Sequence, residues 1–117
     1  MKKLFLVLTL ALSLFTLTAC GGGEEAAQGV TEDTVKVGNS AATSGGLAFV
    51  GLPFVAGIEA YFDMVNEDGG VAGRQIEFVH YDDEFNGATG LTYAEKLVED
   101  DEIFAFVGHF GTPIIGA

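Results

Sequence analysis

The feature that most constrains the fold of this chain is a regular alternation of strand and helix patterns from residue 35 onwards. The hydrophobic periodicity predicts three strands and two helices. The strands are expected at residues 35–38, 75–81 and 103–107, and the helices at residues 52–66 and 88–99. A third helix is expected to begin near Pro113. Because a β-α-β-α-β order requires crossovers between parallel strands, the sequence predicts an α/β fold with a partial doubly wound parallel sheet.

The spacing of apolar residues also predicts which faces are buried. The first helix is expected to carry Pro53 in its first turn and to bury Phe54, Ile58, Tyr61, Phe62 and Val65. The second is expected to bury Ala88, Leu91, Ala94, Leu97 and Val98. The continuous apolar run at residues 103–107 is typical of a strand covered on both faces.

The first 19 residues follow a different pattern. Lys2 and Lys3 precede an apolar run at residues 4–17, which is typical of a secretory signal peptide and short of the roughly 20 residues that span a bilayer. The junction Leu17-Thr18-Ala19-Cys20 resembles a bacterial lipobox, so residues 1–19 are predicted to be a lipoprotein signal peptide and Cys20 the lipidated residue. An ordinary signal peptide with an incidental cysteine is the alternative. Residues 20–34 are small and acidic, which predicts a flexible tether between the lipid and the domain.

Composition excludes several classes of function. The chain carries 17 acidic against 5 basic residues, a net charge of −12. This excludes nucleic-acid binding, because contacts to a phosphate backbone require clustered lysine and arginine. The single cysteine excludes an internal disulfide and a cysteine-rich zinc site. The run Asp82-Asp83-Glu84 is expected to be a solvated loop rather than a cation site, and His80 and His109 are not expected to bind zinc. We therefore expect no metal, no cofactor and no enzymatic activity.

Three segments stand out in the predicted domain: NEDGGVAGRQIE at residues 66–77, the Asp82-Asp83 pair, and VGHFGTP at residues 107–113. In this order and spacing they resemble the type I periplasmic binding proteins, in particular the leucine/isoleucine/valine-binding group of ABC transporter receptors. The resemblance extends over residues 35–117 and implies a receptor of two α/β lobes that close on a small ligand. Since members of this family are far longer, residues 35–117 are expected to be an incomplete N-terminal lobe, the first half of lobe one.

The ligand site is expected beyond the carboxyl ends of the strands, where open α/β sheets bind ligands. The loops after the first and third strands would be neighbours there if the strand order is 2-1-3. Thr112 is predicted to cap a helix with Pro113 at its first position, which leaves backbone N–H groups for an anion such as an amino acid carboxylate. The family resemblance implies that a serine or threonine at this position holds the ligand carboxylate; a cap without a ligand is the alternative. The predicted ligand-binding residues are Gly111, Thr112, Thr43, Ser44, Phe49 and Val50.

Two features of the loop after the first strand leave the identity of the ligand undecided. The segment Thr43-Ser44-Gly45-Gly46 would allow close backbone approach to a ligand, or would be a plain connection. Val50 occupies a position where amino-acid-binding relatives often carry tyrosine, with Phe49 beside it, which allows a more apolar or aromatic-lined site.

The resemblance implies the extracytoplasmic solute-binding component of an ABC importer for branched-chain amino acids or similar small polar ligands. Its partners would be the ligand, the ABC permease subunits and, through the lipid on Cys20, the bacterial cell membrane. A ligand-sensing domain of a signalling receptor and a nonfunctional fragment are the alternatives.

Overall fold

The computed structural model describes residues 26–117. The predicted signal peptide and residues 20–25 of the predicted tether, Cys20 among them, lie outside the described residues. The elements are β1 (Thr34–Ala41), a 3-10 turn (Gly45–Leu47), α1 (Ala48–Glu67), β2 (Gln75–Asp82), α2 (Gly87–Glu99), β3 (Ala105–Phe106) and α3 (Thr112–Ile115).

The three strands form a parallel sheet in the order β2-β1-β3. β1 pairs with β2 along its whole length, from Thr34 opposite Gln75 to Ala41 opposite Asp82. β3 pairs with β1 only where Val37 and Gly38 meet Ala105 and Phe106. This arrangement confirms the predicted α/β class. β1 is the central strand, with β2 on one side and β3 on the other, so the two crossovers run in opposite directions across the sheet.

α1 and α2 pack on opposite faces of the sheet. Successive residues of a strand point to opposite faces, so the two helices contact alternate strand residues. On one face, Phe62 of α1 meets Phe78 of β2 edge-on, with ring centroids 5.6 Å apart. On the other face, the fully buried Leu97 of α2 lies over Gly38. A Cβ atom on Gly38 would come within 2.6 Å of the Leu97 side chain, so only glycine lets α2 approach this closely.

α1 begins at Ala48, four residues before the expected start, so Pro53 lies inside the helix rather than in its first turn. Its buried residues are Gly51 and Val55, whereas Tyr61 is 59% exposed and Phe54 is 38% exposed. The predicted buried face was therefore wrong at Tyr61 and Phe54, while Ile58, Phe62 and Val65 are half-buried. The reason is that a Cβ atom on Gly51 would overlap the carbonyl of Ala42, so the helix contacts the preceding loop through its own backbone at this point.

The predicted buried face of α2 was also largely wrong. Only Gly90 and Leu97 are buried in this helix, while Leu91 and Val98 are 43% and 42% exposed. A Cβ atom on Gly90 would crowd the side chain of Ile114, so α2 presents its glycine rather than its leucine to α3.

The predicted third strand is much shorter than expected. It comprises Ala105–Phe106, and Phe104 and Phe106 are 54% and 45% exposed. The run at residues 103–107 is therefore not covered on both faces by the described residues, although Ile103 is buried.

By length and composition, Gly45–Glu67 is a helical segment apolar enough to cross a bilayer, with a mean hydropathy of 1.5. Core helices of soluble proteins can meet the same criterion. Because α1 packs on β2 through Phe62 and Phe78, the structure makes it the first crossover helix of the sheet.

Candidate ligand-binding site

The loops that follow the three strands meet at the carboxyl edge of the sheet. The Asn39 side-chain amide on β1 donates to the carbonyl of Gly108 after β3, at 3.2 Å. The Thr43 amide after β1 donates to the Asp82 carboxylate at the end of β2, at 2.9 Å. The loops after β1 and β3 are thus neighbours, as the strand order 2-1-3 requires.

Asp82 fastens the loop after β1. One of its carboxylate oxygens accepts hydrogen bonds from the amides of Thr43 (2.9 Å) and Glu84 (3.1 Å). Burial alone would raise the pKa of Asp82, but hydrogen bonds from Ser44 and from the amides of Glu84 and Thr43 outweigh it and hold the pKa below its ordinary value. Asp82 is therefore an ionised anchor.

Asp83 is fully buried, so the expectation of a solvated acidic loop was wrong. Its Oδ1 accepts a hydrogen bond from the Phe85 amide at 2.9 Å, and its carbonyl accepts one from the Asn86 amide at 2.8 Å. Glu84 and Phe85 adopt φ values of 52° and 62°, in the left-handed region that disfavours residues with a side chain. The two aspartates thus hold a strained turn in place.

The strained turn places an aromatic ring against the loop after β3. The ring of Phe110 lies between Phe85 and Phe54, at centroid distances of 6.2 Å and 5.7 Å. Phe54 and Phe85 remain 38% and 36% exposed, so this wall is available to a ligand. Small-molecule sites commonly combine such an apolar wall with a few polar groups.

A chain of hydrogen bonds connects Gly108 to Thr43 through two polar side chains. Asn39 Oδ1 lies 2.8 Å from His80 Nδ1, and His80 Nε2 lies 3.1 Å from the Thr43 hydroxyl. Burial lowers the pKa of His80, and the nearby Asp82, Glu59 and Asp83 carboxylates oppose this only in part. His80 is therefore neutral at pH 7.

Of the predicted site residues after β1, the structure brings Thr43 and Ser44 to this network. Thr43 and Ser44 are half-buried and contact His80 and Asp82. Phe49 is 75% exposed and Val50 is half-buried, both in the first turn of α1.

The predicted site residues after β3 differ from expectation in one respect. The residue that caps α3 is Gly111, with φ 118°, and Thr112 is the first residue of the helix. Thr112 was therefore wrongly predicted as the cap. Gly111 is required here because a Cβ atom would come within 2.7 Å of the Phe85 ring. Thr112 is exposed at this edge of the sheet.

Sequence reasoning did not assign Asn39, His80, Asp82, Phe85 or Phe110 to the site. His80 was examined only as a zinc ligand, and within the described residues no group of three or more metal-ligating side chains occurs. A usable signal existed for Asn39 and His80, since both are polar residues near the carboxyl ends of predicted strands, where ligands bind. No comparable signal identifies the aromatic pair, because its contacts depend on the turn at Glu84.

Comparison with known proteins gives the chain its family. Residues 34–117 match the family model described as "Periplasmic binding protein". The chain is 33% identical over 96 residues to the leucine-, isoleucine-, valine-, threonine- and alanine-binding protein of Pseudomonas aeruginosa, an alignment that covers 82% of this chain and 25% of that relative. The chain spans about a fifth to a quarter of the length of the curated relatives it matches, 21% and 25% in two of them.

Solved structures show the same relationship. The branched-chain amino acid transporter substrate binding protein from Streptococcus pneumoniae, in complex with isoleucine, matches with a TM-score of 0.68 and 30% identity over 71% of this chain and 24% of that chain. An ABC transporter solute binding protein from R. palustris, in complex with benzoate, matches with a TM-score of 0.63 and 27% identity over 72% of this chain and 23% of that chain. Since the family match begins with β1 and includes every element of the sheet, the chain belongs to the periplasmic binding protein family, in the leucine/isoleucine/valine-binding group of its type I members.

Proposed function

We propose that residues 35–117 are an incomplete N-terminal lobe of the solute-binding component of a bacterial ABC importer. The observation that carries this proposal is the meeting of the loops after β1 and β3 at the carboxyl edge, where Asn39 joins β1 to Gly108. Open α/β sheets bind ligands at this point. The family membership supports a solute-binding role and an extracytoplasmic location.

The proposed ligand is a branched-chain amino acid or a similar small molecule with an apolar body. Support comes from relatives whose names or titles specify such ligands, including the isoleucine complex from Streptococcus pneumoniae. The aromatic wall around Phe110 also supports an apolar ligand body, and Phe49 and Val50 would extend this surface. We assign the carboxylate of the ligand to Gly111 and Thr112, and its other polar end to Thr43 and Ser44.

Binding without chemical change is the proposed activity, with release to ABC permease subunits. The relatives are binding proteins, which supports a non-enzymatic role. We further propose that residues 1–19 are a lipoprotein signal peptide and that lipid on Cys20 anchors the protein through the tether at residues 20–34.

A direct test of the ligand site is a titration of the 15N-labelled chain with L-isoleucine and with benzoate, followed by NMR. Because this lobe supplies only part of a ligand's surroundings, we expect a dissociation constant of about 1 mM, within the range NMR measures. The resonances that shift should lie at residues 43–50 and 109–112.

Thr112→Ala is expected to weaken binding about tenfold, since it removes one hydrogen bond to a charged group. Thr92→Val is the matched control, because the Thr92 hydroxyl bonds to the Ala88 carbonyl on α2, away from the site. Shifts confined to other parts of the chain, or an unchanged affinity in Thr112→Ala, would contradict the assignment.

A further inference from the structure

We propose that Asn39 and His80 are positioning residues that fix the Thr43 hydroxyl as a hydrogen-bond acceptor, so that the loop after β1 selects a ligand presenting an N–H donor there. The inference rests on the proposed function, because it requires Thr43 to face the ligand.

The Gly108 carbonyl can only accept a hydrogen bond. The nitrogen of the Asn39 amide must therefore face it, at 3.2 Å, which fixes the orientation of the amide. The Asn39 oxygen then faces His80 Nδ1 at 2.8 Å. Since that oxygen can only accept, the hydrogen of the imidazole must reside on Nδ1.

The other ring nitrogen, Nε2, accepts a hydrogen bond. His80 is neutral at pH 7, since burial lowers its pKa more than the surrounding carboxylates raise it. Those carboxylates are Glu59 on α1, Asp82 on β2 and Asp83 just after β2. A neutral ring with its hydrogen on Nδ1 has a lone pair on Nε2, so the Thr43 hydroxyl must donate to it, at 3.1 Å.

The Thr43 hydroxyl can therefore only accept a hydrogen bond from a ligand. A hydroxyl has one hydrogen, and here His80 takes it, so only lone pairs remain for a ligand. The neighbouring Ser44 helps to hold the pKa of Asp82 below its ordinary value. At Thr43 the loop therefore accepts a hydrogen bond from an ammonium or amide N–H group and has no hydroxyl hydrogen to donate to a carboxylate.

The imidazole nitrogens provide a test that needs no ligand. The chain contains two histidines, so His109→Gln assigns both rings in a long-range 1H-15N NMR spectrum. At pH 8 we expect His80 to carry its hydrogen on Nδ1, although free histidine prefers Nε2. A hydrogen on Nε2 would overturn the inference.

The selectivity is tested with L-isoleucine and 3-methylpentanoate, which has the same carbon skeleton without the amine. At pH 8 the chain should bind isoleucine about tenfold more tightly, the gain of a charge-assisted hydrogen bond. Thr43→Val should reduce this ratio to about twofold, while Thr92→Val should preserve it. Equal binding of the two compounds by the unaltered chain would overturn the selection of an N–H donor.

The two proposals fail in different ways. If neither compound shifts the resonances of residues 43–50, the proposed amino acid site and the selection of an N–H donor are both wrong. The tautomer of His80 is measured separately and still decides whether the Thr43 hydroxyl is held as an acceptor. If both compounds bind equally and His80 carries its hydrogen on Nδ1, the ligand site stands and the role of Thr43 in selection is wrong.

Discussion

Asp82 and Asp83 are adjacent in the chain and have different roles at the carboxyl edge. Asp82 accepts hydrogen bonds from the Thr43 amide in the loop after β1 and from the Glu84 amide in the loop after β2. Asp83 is buried and stabilises the turn that follows it. One Asp83 oxygen has no hydrogen-bond partner among the described residues, which adds a desolvation cost. The turn at Glu84 and Phe85 is maintained despite that cost, because Phe85 packs against Phe110.

Asp83→Ala is expected to lower the free energy of unfolding by about 2 kcal/mol, because the Phe85 amide loses its partner and a strained turn loses its support. Urea denaturation of the chain measures this change. Asp63→Ala, at an exposed position on α1, is the control and should change stability by less than about 0.5 kcal/mol. Equal effects of the two variants would show that Asp83 does not stabilise the turn.

The two histidines predict a dependence of stability on pH. Burial lowers the pKa of both His80 and His109 from 6.5, so the folded chain takes up protons less readily than the unfolded chain. Their contribution to stability is fully present above pH 6.5 and is lost as the pH falls from 6.5 through the lowered pKa values. Urea midpoints measured from pH 8 to pH 5 should therefore decrease, and His109→Gln should reduce the slope. A midpoint that rises with acidification over this range would contradict the prediction.

At the scale of elements, small residues determine which helix faces meet the sheet and the loops. α1 rests on the Ala42 carbonyl through Gly51, and α2 rests on Ile114 through Gly90. Periodicity predicts the existence of both helices, because their apolar residues recur at helical spacing. It misplaces the buried faces because it ranks positions by side-chain hydrophobicity, and a glycine that allows close approach contributes nothing to that ranking.

Gly51→Ala and Gly57→Ala form a matched pair within α1. A Cβ atom on Gly51 would overlap the backbone of Ala42, whereas one on Gly57 meets nothing within 4 Å. We expect Gly51→Ala to destabilise the chain by about 2 kcal/mol or more, through displacement of α1. Gly57→Ala should stabilise it by about 0.5–1 kcal/mol, because alanine favours a helix interior. Thermal unfolding by circular dichroism separates the two, and a stabilising Gly51→Ala would contradict this contact.

At the scale of the whole molecule, one apolar surface has no cover among the described residues. Val98 of α2 and Phe106 of β3 line one groove of this surface, and Leu91 lies about two helical turns before Val98 on the same face of α2. Leu91, Val98 and Phe106 are 43%, 42% and 45% exposed. Exposed apolar patches of this kind favour association.

The chain is therefore expected to self-associate as its concentration increases. Replacing Leu91 and Val98 together with lysine should shift the sedimentation coefficient towards the monomer while leaving the helix content unchanged. Ala56→Lys and Ala60→Lys, at two exposed positions on α1, are the control because they add the same positive charge away from this surface. Association that is unaffected by Leu91→Lys and Val98→Lys would locate the contact elsewhere.

The proposed anchor also belongs to the whole molecule. Cys20→Ala should abolish incorporation of a labelled fatty acid and release the chain from the membrane fraction of a bacterial host, because the predicted acceptor thiol is removed. Thr18→Ser is the control, since it leaves Cys20 intact. Continued labelling in Cys20→Ala would exclude lipidation at this residue.

The sequence alone predicts the α/β class and the order of the elements, and it points to the carboxyl edge of the sheet for the proposed ligand site. These properties follow from local periodicity and from the handedness of crossovers, and both are readable along the chain. It also indicated Thr43 and Ser44, because small polar residues after a strand are a local signal.

The contacts of those residues depend on the tertiary structure. The hydrogen bonds from Gly108 through Asn39 and His80 to Thr43 join positions as much as 69 residues apart, so no local pattern contains them. Burial of Asp83 likewise depends on loops from different strands closing around it. A hydrogen-bond network is defined by distances and directions in space, and those exist only once the strands have paired.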